Sequence, residues 1–258
     1  MKPYTLITGA SEGLGVEFAR LAAKEDRNMI LAARSLEKLN AVADELRSDS
    51  VDVVVIPADL NGLDETERLW SEATDGRVID VLVNNAGLGR NGAFDDGQDW
   101  QRELSSMNVN MIALTRLMKL AIPHMEAHGG GRILNVASVA GFVPGPNMAV
   151  YHATKAYVVS LSEAVAEEMR GGSVTVTALC PGATATNFFS DADMHDVALI
   201  KQGKPAKASD VAELGWVQAR IGKRIVIPGA MNVIFANLPR FVPRSVVTRI
   251  AKRMMSKV

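Results

Sequence analysis

A tyrosine and a lysine stand four residues apart in the segment Tyr151-His152-Ala153-Thr154-Lys155. The segment follows a Gly/Pro-rich turn and begins a helical pattern, and residues four apart share one face of a helix, with Cβ atoms about 5–6 Å apart. An ammonium group at that distance favours a phenolate, so we expect Lys155 to lower the pKa of Tyr151 from its reference value of about 10. A phenol with such a pKa can act as a general acid or base. The spacing alone is weak, because it occurs by chance in many helices.

A second candidate site is the glycine-rich segment Thr8-Gly9-Ala10-Ser11-Glu12-Gly13-Leu14-Gly15. It connects the first predicted strand to the first predicted helix. Glycines in that position allow a tight turn and the close approach of a pyrophosphate to amide groups at the helix N-terminus. Its spacing, Gly-x3-Gly-x-Gly, differs from the commoner dinucleotide-binding fingerprint, so the segment taken by itself is only a moderate indication.

Length and composition limit the kind of protein. A chain of 258 residues suits one large α/β domain or two small ones, and 48% hydrophobic residues allow a large core. The net charge of −1 gives no overall attraction to nucleic acid, and we expect neither a nucleic-acid partner nor a metal site. The single cysteine, Cys180, excludes an internal disulfide and fits a cytoplasmic location. The N-terminus does not read as a signal peptide, and no apolar run reaches the roughly 18 residues of a membrane span.

Short β-branched runs alternate with longer amphipathic runs along the chain. We predict strands at 4–8, 28–33, 51–57, 79–84, 132–137, 173–179 and 224–227, and helices near 14–24, 36–47, 64–74, 100–125, 150–170 and 209–220. Strict alternation indicates a parallel sheet covered by helices on both faces. The prediction is one doubly wound α/β domain with a seven-stranded parallel sheet over residues 1–258. Residues 187–207 interrupt this pattern and predict a substrate lid, with an ordinary surface excursion as the alternative.

Further motifs follow the glycine-rich segment in a characteristic order. They are Asn84-Asn85-Ala86-Gly87 after the fourth strand, Asn110 in a long helical pattern, Ser138 after the fifth strand, Tyr151 with Lys155, and Pro181-Gly182-Ala183-Thr184-Ala185-Thr186 after the sixth strand. Together these motifs resemble the short-chain dehydrogenase/reductase family over nearly the whole chain. Asn108 is a rival for the family's helical asparagine, but the Ala-Leu-Thr register that follows favours Asn110.

The resemblance implies a Rossmann-type fold and four catalytic residues, Asn110, Ser138, Tyr151 and Lys155. Tyr151 would exchange a proton with a carbonyl or alcohol oxygen while hydride moves to or from a nicotinamide, and Lys155 would also bind the nicotinamide ribose. Ser138 would hold the substrate oxygen, and Asn110 a water that links Lys155 to solvent. The cofactor-binding positions it implies are Gly9, Ser11, Glu12, Gly13, Leu14, Gly15, Asp59, Leu60, Asn85, Ala86, Gly87, Tyr151, Lys155, Pro181, Gly182, Thr184 and Thr186.

The end of the second strand bears on the choice of cofactor. A site that prefers NAD usually has an acid there for the ribose 2′-hydroxyl, whereas this chain has Ala33 followed by Arg34. A guanidinium suits a 2′-phosphate, so we expect Arg34 to bind it and NADP(H) to be preferred over NAD(H). Glu12 argues the other way, because its carboxylate would repel a phosphate.

The C-terminal part of the chain is basic. No acidic residue follows Glu213, and residues 228–258 form a basic extension that ends in an amphipathic helical pattern over 245–258. Such a helix can pack on its own domain or on a partner subunit, touch an anionic membrane peripherally, or attract an acidic substrate. The family resemblance also implies a homodimer or homotetramer.

Substrate identity is not encoded in these motifs. Residues that flank the motifs and the lid predict an apolar pocket, namely Phe142, Val143, Met148, Phe188, Phe189 and Met194. We expect an NADP(H)-dependent oxidoreductase acting on a carbonyl or secondary alcohol. A cofactor sensor or membrane-associated scaffold without turnover is the alternative, and an aldehyde, imine or enoyl substrate is a third option, because the fold alone does not define the reaction.

Overall fold

The computed structural model describes residues 2–95, 100–194, 196–198, 201 and 204–256. Seven parallel strands form one sheet in the order β3-β2-β1-β4-β5-β6-β7. The strands β1 to β7 are Tyr4–Thr8, Asn28–Ala33, Val53–Pro57, Ile79–Asn84, Gly131–Val136, Val174–Leu179 and Ile225–Val226. The predicted seven-stranded, doubly wound α/β fold is confirmed.

The helices alternate with the strands up to β7 and then continue alone. The described α-helices, α1 to α10, are Gly13–Lys24, Leu36–Leu46, Leu63–Thr74, Trp100–Met107, Leu114–Ala127, Ala149–Glu168, Phe188–Asp191, Ala208–Arg220, Ala230–Asn237 and Arg244–Met255. A π-helical turn, Asn108–Ala113, joins α4 to α5, and short 3-10 turns lie at Val139–Phe142 and Leu238–Arg240. The single helix predicted over 100–125 is therefore interrupted by the π-helical turn.

Both faces of the sheet are covered because its strands are apolar on both sides. Successive side chains of a strand point to opposite faces, so Leu6 joins the core beneath α3, α5 and α6, whereas Ile7 joins the core beneath α1, α2 and α8. Both side chains are fully buried. Continuous apolar strands of this kind are typical of parallel sheets that helices cover on both faces.

The strand order places a crevice between β1 and β4. These strands are neighbours in the sheet although β2 and β3 lie between them in the chain, and ligands of open α/β sheets bind at such a switch point. The turns after the two strands are hydrogen-bonded together. The Asn85 side-chain amide donates to the carbonyl oxygens of Thr8 and Gly9 at 3.0 Å each, and the backbone amide of Asn85 donates to Thr8 Oγ1 at 3.0 Å.

The C-terminal helix α10 packs on its own chain through one side. Val247, Ala251 and Met255 are buried, and the Met255 carbonyl accepts hydrogen bonds from Asn91 Nδ2 at 3.0 Å and Asn147 Nδ2 at 3.4 Å. Of the basic extension predicted over 228–258, residues 257 and 258 lie outside the described residues. In the described part of the chain, no helix has both the length and the apolar character needed to span a bilayer.

Candidate active site

Helix α6 carries Tyr151 and Lys155 in its first two turns, and Ser138 follows β5 directly. Ser138 Oγ accepts a hydrogen bond from the Ala140 backbone amide at 3.1 Å and so caps the N-terminus of the 3-10 turn Val139–Phe142. A glycine at 141 is required because a Cβ there would lie 2.6 Å from the Lys155 carbonyl oxygen. The close approach of this turn to α6 brings Ser138 to the side of the helix that carries Tyr151.

The pKa values of Tyr151 and Lys155, both on α6, differ from the ordinary values of these groups. Lys155 Nζ lies 5.8 Å from the centroid of the Tyr151 ring and donates to the Val136 carbonyl at 2.8 Å. Burial raises the pKa of Tyr151 to about 12, although a hydrogen bond with Ser138 acts in the opposite direction. Burial also lowers the pKa of Lys155 to about 8. The prediction that Lys155 depresses the pKa of Tyr151 was wrong, because desolvation of the phenol outweighs any attraction by the lysine.

Asn110 lies in the π-helical turn and is almost fully buried. Its side-chain amide donates to the Leu88 carbonyl at 2.8 Å and to Thr154 Oγ1 at 2.9 Å, while its Oδ1 accepts from the Leu88 amide at 2.8 Å. A Cβ at Gly87 would lie 3.3 Å from Lys155 Nζ and 3.4 Å from Asn110 Oδ1, which shows that the two side chains approach the same point. π-helical turns are frequent at functional sites.

Asn108, the rival of Asn110, faces another part of the molecule. Its side-chain amide donates to the carbonyl and side-chain oxygens of Asn61 at 3.1 Å each. Only one of the two asparagines therefore approaches Lys155 in this structure, and it is Asn110.

His152 and Cys180, which lie next to motif residues in the sequence, are both buried. His152 Nδ1 contacts the Val143 carbonyl at 2.8 Å, and burial lowers the pKa of the imidazole. Burial raises the pKa of Cys180 to about 12, so this thiol stays protonated. Both observations agree with packing roles.

One cavity of about 1120 Å³ runs from the glycine-rich segment to Tyr151 and onward to the C-terminal helices. Most of the predicted site residues line it: Gly9, Ser11, Glu12, Gly13, Leu14, Arg34, Asp59, Leu60, Asn85, Ala86, Gly87, Ser138, Tyr151, Lys155, Pro181, Gly182, Thr184 and Thr186. Gly15 and Asn110 do not line it. A Cβ at Gly15 would lie 2.1 Å from the Gly9 carbonyl oxygen, so Gly15 permits the close packing of α1 on the turn, while Asn110 contacts Leu88 and Thr154.

The phosphate-binding part of the cavity has the geometry that a dinucleotide requires. Gly9 and Gly13 have φ angles of +64° and +58°, which side chains rarely adopt. The N-terminus of α1 opens at Gly13, and its free backbone amides form a site for an anion. The residues present therefore fit a nicotinamide dinucleotide, with its pyrophosphate on α1.

Three charged groups lie at the end of the cavity next to β2. Arg34 and Lys38 line it, and Lys38 Nζ forms an ion pair with Glu12 Oε2 at 3.0 Å. Asn187 Nδ2 also donates to Glu12 Oε2, at 2.9 Å, and this bond and the ion pair hold the pKa of Glu12 below its usual range. Lys38 was not identified from the sequence. The available indication was its position four residues after Arg34, in the first turn of α2.

The substrate side of the cavity is apolar. Met148, Phe188, Phe189 and Met194 line it as predicted, and the ring centroids of Phe188 and Tyr151 lie 5.3 Å apart. The predictions for Phe142 and Val143 were wrong: neither lines the cavity. Phe142 packs against the core beneath α6, and Val143 is bonded through its carbonyl to His152.

The sequence reasoning missed four apolar residues of the cavity, which come from the C-terminal helices: Met231, Phe235, Met254 and Met255. No pattern near Tyr151 could have identified them.

The segment predicted as a lid, 187–207, is described except for 195, 199–200 and 202–203. It starts and ends at neighbouring points, because the Ala185 amide donates to the Ala206 carbonyl and the Ala206 amide donates to the Ala183 carbonyl, both at 2.9 Å. Residues 187–191, which include α7, line the cavity. Arg102 on α4 forms an ion pair with Asp193 at 2.8 Å.

Comparison with known proteins identifies the family. The short chain dehydrogenase family model matches residues 3–196. The chain belongs to the short-chain dehydrogenase family. It is 34% identical over 186 residues to a 3-oxoacyl-[acyl-carrier-protein] reductase FabG of Staphylococcus aureus, which covers 70% of this chain and 74% of that protein. The predicted family, and with it the class of dehydrogenases and reductases, is confirmed.

Two other relatives are longer proteins. The ketoacyl reductase HetN of Nostoc is 36% identical over 179 residues, covering 69% of this chain and 62% of HetN. Human 17-beta-hydroxysteroid dehydrogenase type 3 is 34% identical over 188 residues, covering 72% of this chain and 60% of the human enzyme. The match thus spans less than two thirds of the length of either protein.

Solved structures agree over most of the chain. A Sphingobium yanoikuyae short-chain dehydrogenase in complex with NADPH has a TM-score of 0.83 and 28% identity, covering 95% of this chain and 94% of that one. The bulky-bulky ketone specific alcohol dehydrogenase of Comamonas testosteroni has a TM-score of 0.78 and 28% identity, covering 92% of each chain. A Burkholderia phymatum family member in complex with NAD shares the fold, with a TM-score of 0.83 at 23% identity over 100% of this chain and 98% of that one.

The lowered pKa of Lys155 leads to a prediction about stability. Between the folded-state value of about 8 and the ordinary value of 10.5, the unfolded chain binds more protons than the folded one, so the free energy of unfolding rises with pH in this window. Lys155→Met should remove that rise and, at neutral pH, should stabilise the protein by up to roughly 3 kcal/mol.

Urea unfolding of both proteins at neutral pH and at about pH 10 measures this difference. Lys24→Met, at an exposed lysine, is the control and should keep the wild-type pH dependence. An identical pH dependence in the wild type and Lys155→Met would show that Lys155 has an ordinary pKa.

Proposed function

We propose that the protein is an NADP(H)-dependent oxidoreductase that transfers a hydride between the nicotinamide and a carbonyl or secondary alcohol of an apolar substrate, with Tyr151 as the general acid and base. One observation supports this proposal more than any other. Ser138, Tyr151 and Lys155 line the same cavity as the glycine-rich segment and the N-terminus of α1. A nicotinamide, when bound, supplies or accepts the hydride, and the protein supplies position and proton transfer.

The proton chemistry follows from the environment of α6. With its pKa raised to about 12, Tyr151 is protonated at neutral pH and is ready to donate to a carbonyl oxygen, which is the requirement for reduction. The Ser138 hydroxyl can donate to the same oxygen. With a pKa of about 8, Lys155 gains and loses protons near neutral pH and can resupply the site. Asn110 holds the loop at Leu88 against α6 through Thr154.

The lining of the substrate side supports a bulky, apolar carbonyl compound. Five methionines line the cavity: Met148, Met194, Met231, Met254 and Met255. Methionine is flexible and polarisable, so such a wall adapts to substrates of different shape. The likeness to the Comamonas enzyme, described as specific for bulky-bulky ketones, supports the same substrate class.

The β2 end of the cavity carries two cations, Arg34 and Lys38, and one anion, Glu12. This excess of positive charge supports a preference for NADP(H). In the described part of the chain Arg34 forms no direct ion pair, although its charge acts on Glu12, whereas Lys38 pairs directly with Glu12 at 3.0 Å. A 2′-phosphate would therefore find a guanidinium without a direct ion pair and a carboxylate whose charge is already paired with Lys38.

Arg34→Ala should weaken NADPH binding about 10- to 100-fold, the usual contribution of a charge-assisted hydrogen bond, and leave NADH binding almost unchanged. Fluorescence titration with both cofactors measures the ratio. Arg47→Ala, at the far end of α2, is the matched control and should change neither affinity. Equal losses for NADPH and NADH in Arg34→Ala would assign Arg34 to the shared part of the cofactor.

Tyr151→Phe tests the proposed reaction. It removes the hydroxyl and keeps the ring that packs on Phe188, so NADPH binding should persist while turnover falls at least about 100-fold. Tyr157→Phe removes the hydroxyl of a second tyrosine on the same helix, one that hydrogen-bonds Thr115, and should keep its activity. NADPH oxidation across a panel of ketones and aldehydes is the assay. Unchanged turnover in Tyr151→Phe would contradict the assignment.

We also infer self-association through α5, α6 and the π-helical turn. Ile112 and Tyr157 are 49% and 39% exposed on these neighbouring elements, and closed homo-oligomers bury such patches.

The predicted cytoplasmic location stays a prediction.

Ile112→Glu places a charge in the proposed interface and should yield monomers in sedimentation velocity, whereas the wild type sediments as a dimer or tetramer. Ile221→Glu, at a residue 72% exposed elsewhere on the surface, should leave the mass unchanged. A monomeric wild type at micromolar concentration would contradict the inferred self-association.

A further inference from the structure

The surface formed by α9, the 3-10 turn Leu238–Arg240 and α10 is called here the C-terminal face. It exposes large apolar side chains: Met231 is 74% exposed, Ile234 58% and Phe241 84%. Single exposed apolar residues are ordinary on protein surfaces, but a group of large ones within a short stretch of chain indicates an interaction site.

The same face carries unpaired positive charge. Its cations are Arg240, Arg244, Arg249, Lys252 and Arg253, and within the described ranges none of them forms an ion pair with a carboxylate. By contrast, Arg220 and Arg224, which precede the face, pair with Glu25 and Glu167. Because no acidic residue follows Glu213, the segment itself cannot neutralise this charge.

Apolar and basic side chains share one outward side of α10. Val247, Ala251 and Met255 face the protein, so the positions spaced by three and four residues on the other side, Val246, Arg249, Ile250 and Arg253, face outward. Val246 and Ile250 are 37% and 38% exposed. Such a combination is typical of helices that lie in the interface of an anionic bilayer.

The cavity of the proposed active site opens on this face. Met231 lines the cavity and is nevertheless 74% exposed, so it lies at the opening. Phe235 on α9 and Met254 on α10 line the cavity on either side of the chain segment that carries Phe241. An apolar molecule leaving a bilayer on which this face rests would therefore meet the opening directly.

We propose that the C-terminal face docks on the surface of an anionic phospholipid bilayer and that the cavity takes its apolar substrate from that bilayer. The second part rests on the proposed oxidoreductase function; the first does not. Each cation near an anionic surface strengthens binding by about fivefold, and the exposed apolar side chains add the specificity for a bilayer over free phosphate.

A second copy of the chain fits this face less well than a bilayer. In a two-fold symmetric contact the same patch meets itself, and five cations would then face five cations without carboxylates between them. An anionic lipid surface supplies the complementary charge and accepts the apolar side chains at the same time.

Cosedimentation with vesicles tests the docking. The protein should bind vesicles of phosphatidylcholine with phosphatidylglycerol and not vesicles of phosphatidylcholine alone. Arg249→Glu/Arg253→Glu should weaken binding at least about thirtyfold, from the loss of two cations. The control Lys24→Glu/Lys223→Glu changes the net charge equally, at exposed residues that precede β2 and β7 and lie outside the C-terminal face, and should bind like the wild type.

The apolar contribution has its own pair of variants. Phe241→Ser should weaken vesicle binding, while Ile221→Ser, at a residue 72% exposed outside the face, should not. Absence of binding to either kind of vesicle, or equal binding by Arg249→Glu/Arg253→Glu and its control, would overturn the docking. If the wild type binds no vesicles and Phe241→Ser changes the mass measured by light scattering, the face contacts a second copy of the chain instead.

Two assays separate this proposal from the proposed function. Arg249→Glu/Arg253→Glu should keep wild-type NADPH oxidation with a water-soluble ketone and lose turnover with a long-chain ketone embedded in anionic vesicles. Equal turnover of the embedded ketone by the wild type and this variant would overturn entry from the bilayer. Loss of activity on both ketones in Tyr151→Phe, with vesicle binding intact, would show that docking and chemistry are independent.

Discussion

The enclosure of Tyr151 and Lys155 by the fold is the constraint on which the rest of the site depends: Lys155 is buried, and Tyr151 is partly buried at the wall of the cavity. Burial makes each group favour its neutral form, with the tyrosine keeping its proton up to a pKa of about 12 and the lysine losing its proton at about 8. By linkage, the lowered pKa of Lys155 costs stability at neutral and lower pH, and the raised pKa of Tyr151 costs stability only above its ordinary value of about 10. Packing of α6 against the end of β5 partly compensates for this cost, because the Val136 carbonyl there accepts a hydrogen bond from Lys155.

Rigid contacts between distant parts of the chain hold that arrangement. Asn85 ties the turn after β4 to the turn after β1, and Asn110 ties the segment after Asn85 to Thr154 on α6. Every one of these amides is satisfied by protein groups, and a buried amide without partners would cost stability. The asparagines therefore connect the cofactor-binding end of the cavity to the catalytic end. The π-helical turn contributes to this connection because it places the Asn110 side chain in the protein interior.

The sequence predicts the sheet better than it predicts the chemistry. β1, β2 and β4 begin and end at the predicted residues, because buried parallel strands have continuous apolar runs with clear borders. The sequence pattern could not show whether the pKa of Tyr151 is raised or lowered. Spacing on a helix reveals which charge is near, but desolvation depends on everything that encloses the phenol, and those elements come from the whole chain.

The same reason explains the residues that were missed or misplaced. Lys38 pairs with Glu12 across two separate elements, and Met254 reaches the cavity only because α10 folds back on it. Phe142 lies next to a motif in sequence yet packs in the core. Local patterns locate the reaction centre, whereas the substrate side is built by tertiary contacts at the C-terminus. This division explains why the reaction type is easier to propose than the substrate.

Ionisation of Tyr151 itself tests the central claim most directly. The chain has three tyrosines, so labelling their ring carbons with carbon-13 and comparing the wild type with Tyr151→Phe assigns the Tyr151 signal in NMR spectra. If burial controls this site, Tyr151 remains protonated in the folded protein at pH values near 10, where an ordinary tyrosine is half ionised, in keeping with its raised value of about 12. A Tyr151 signal that titrates below the ordinary value of about 10 would contradict the account and restore the lysine as the dominant influence on the phenol.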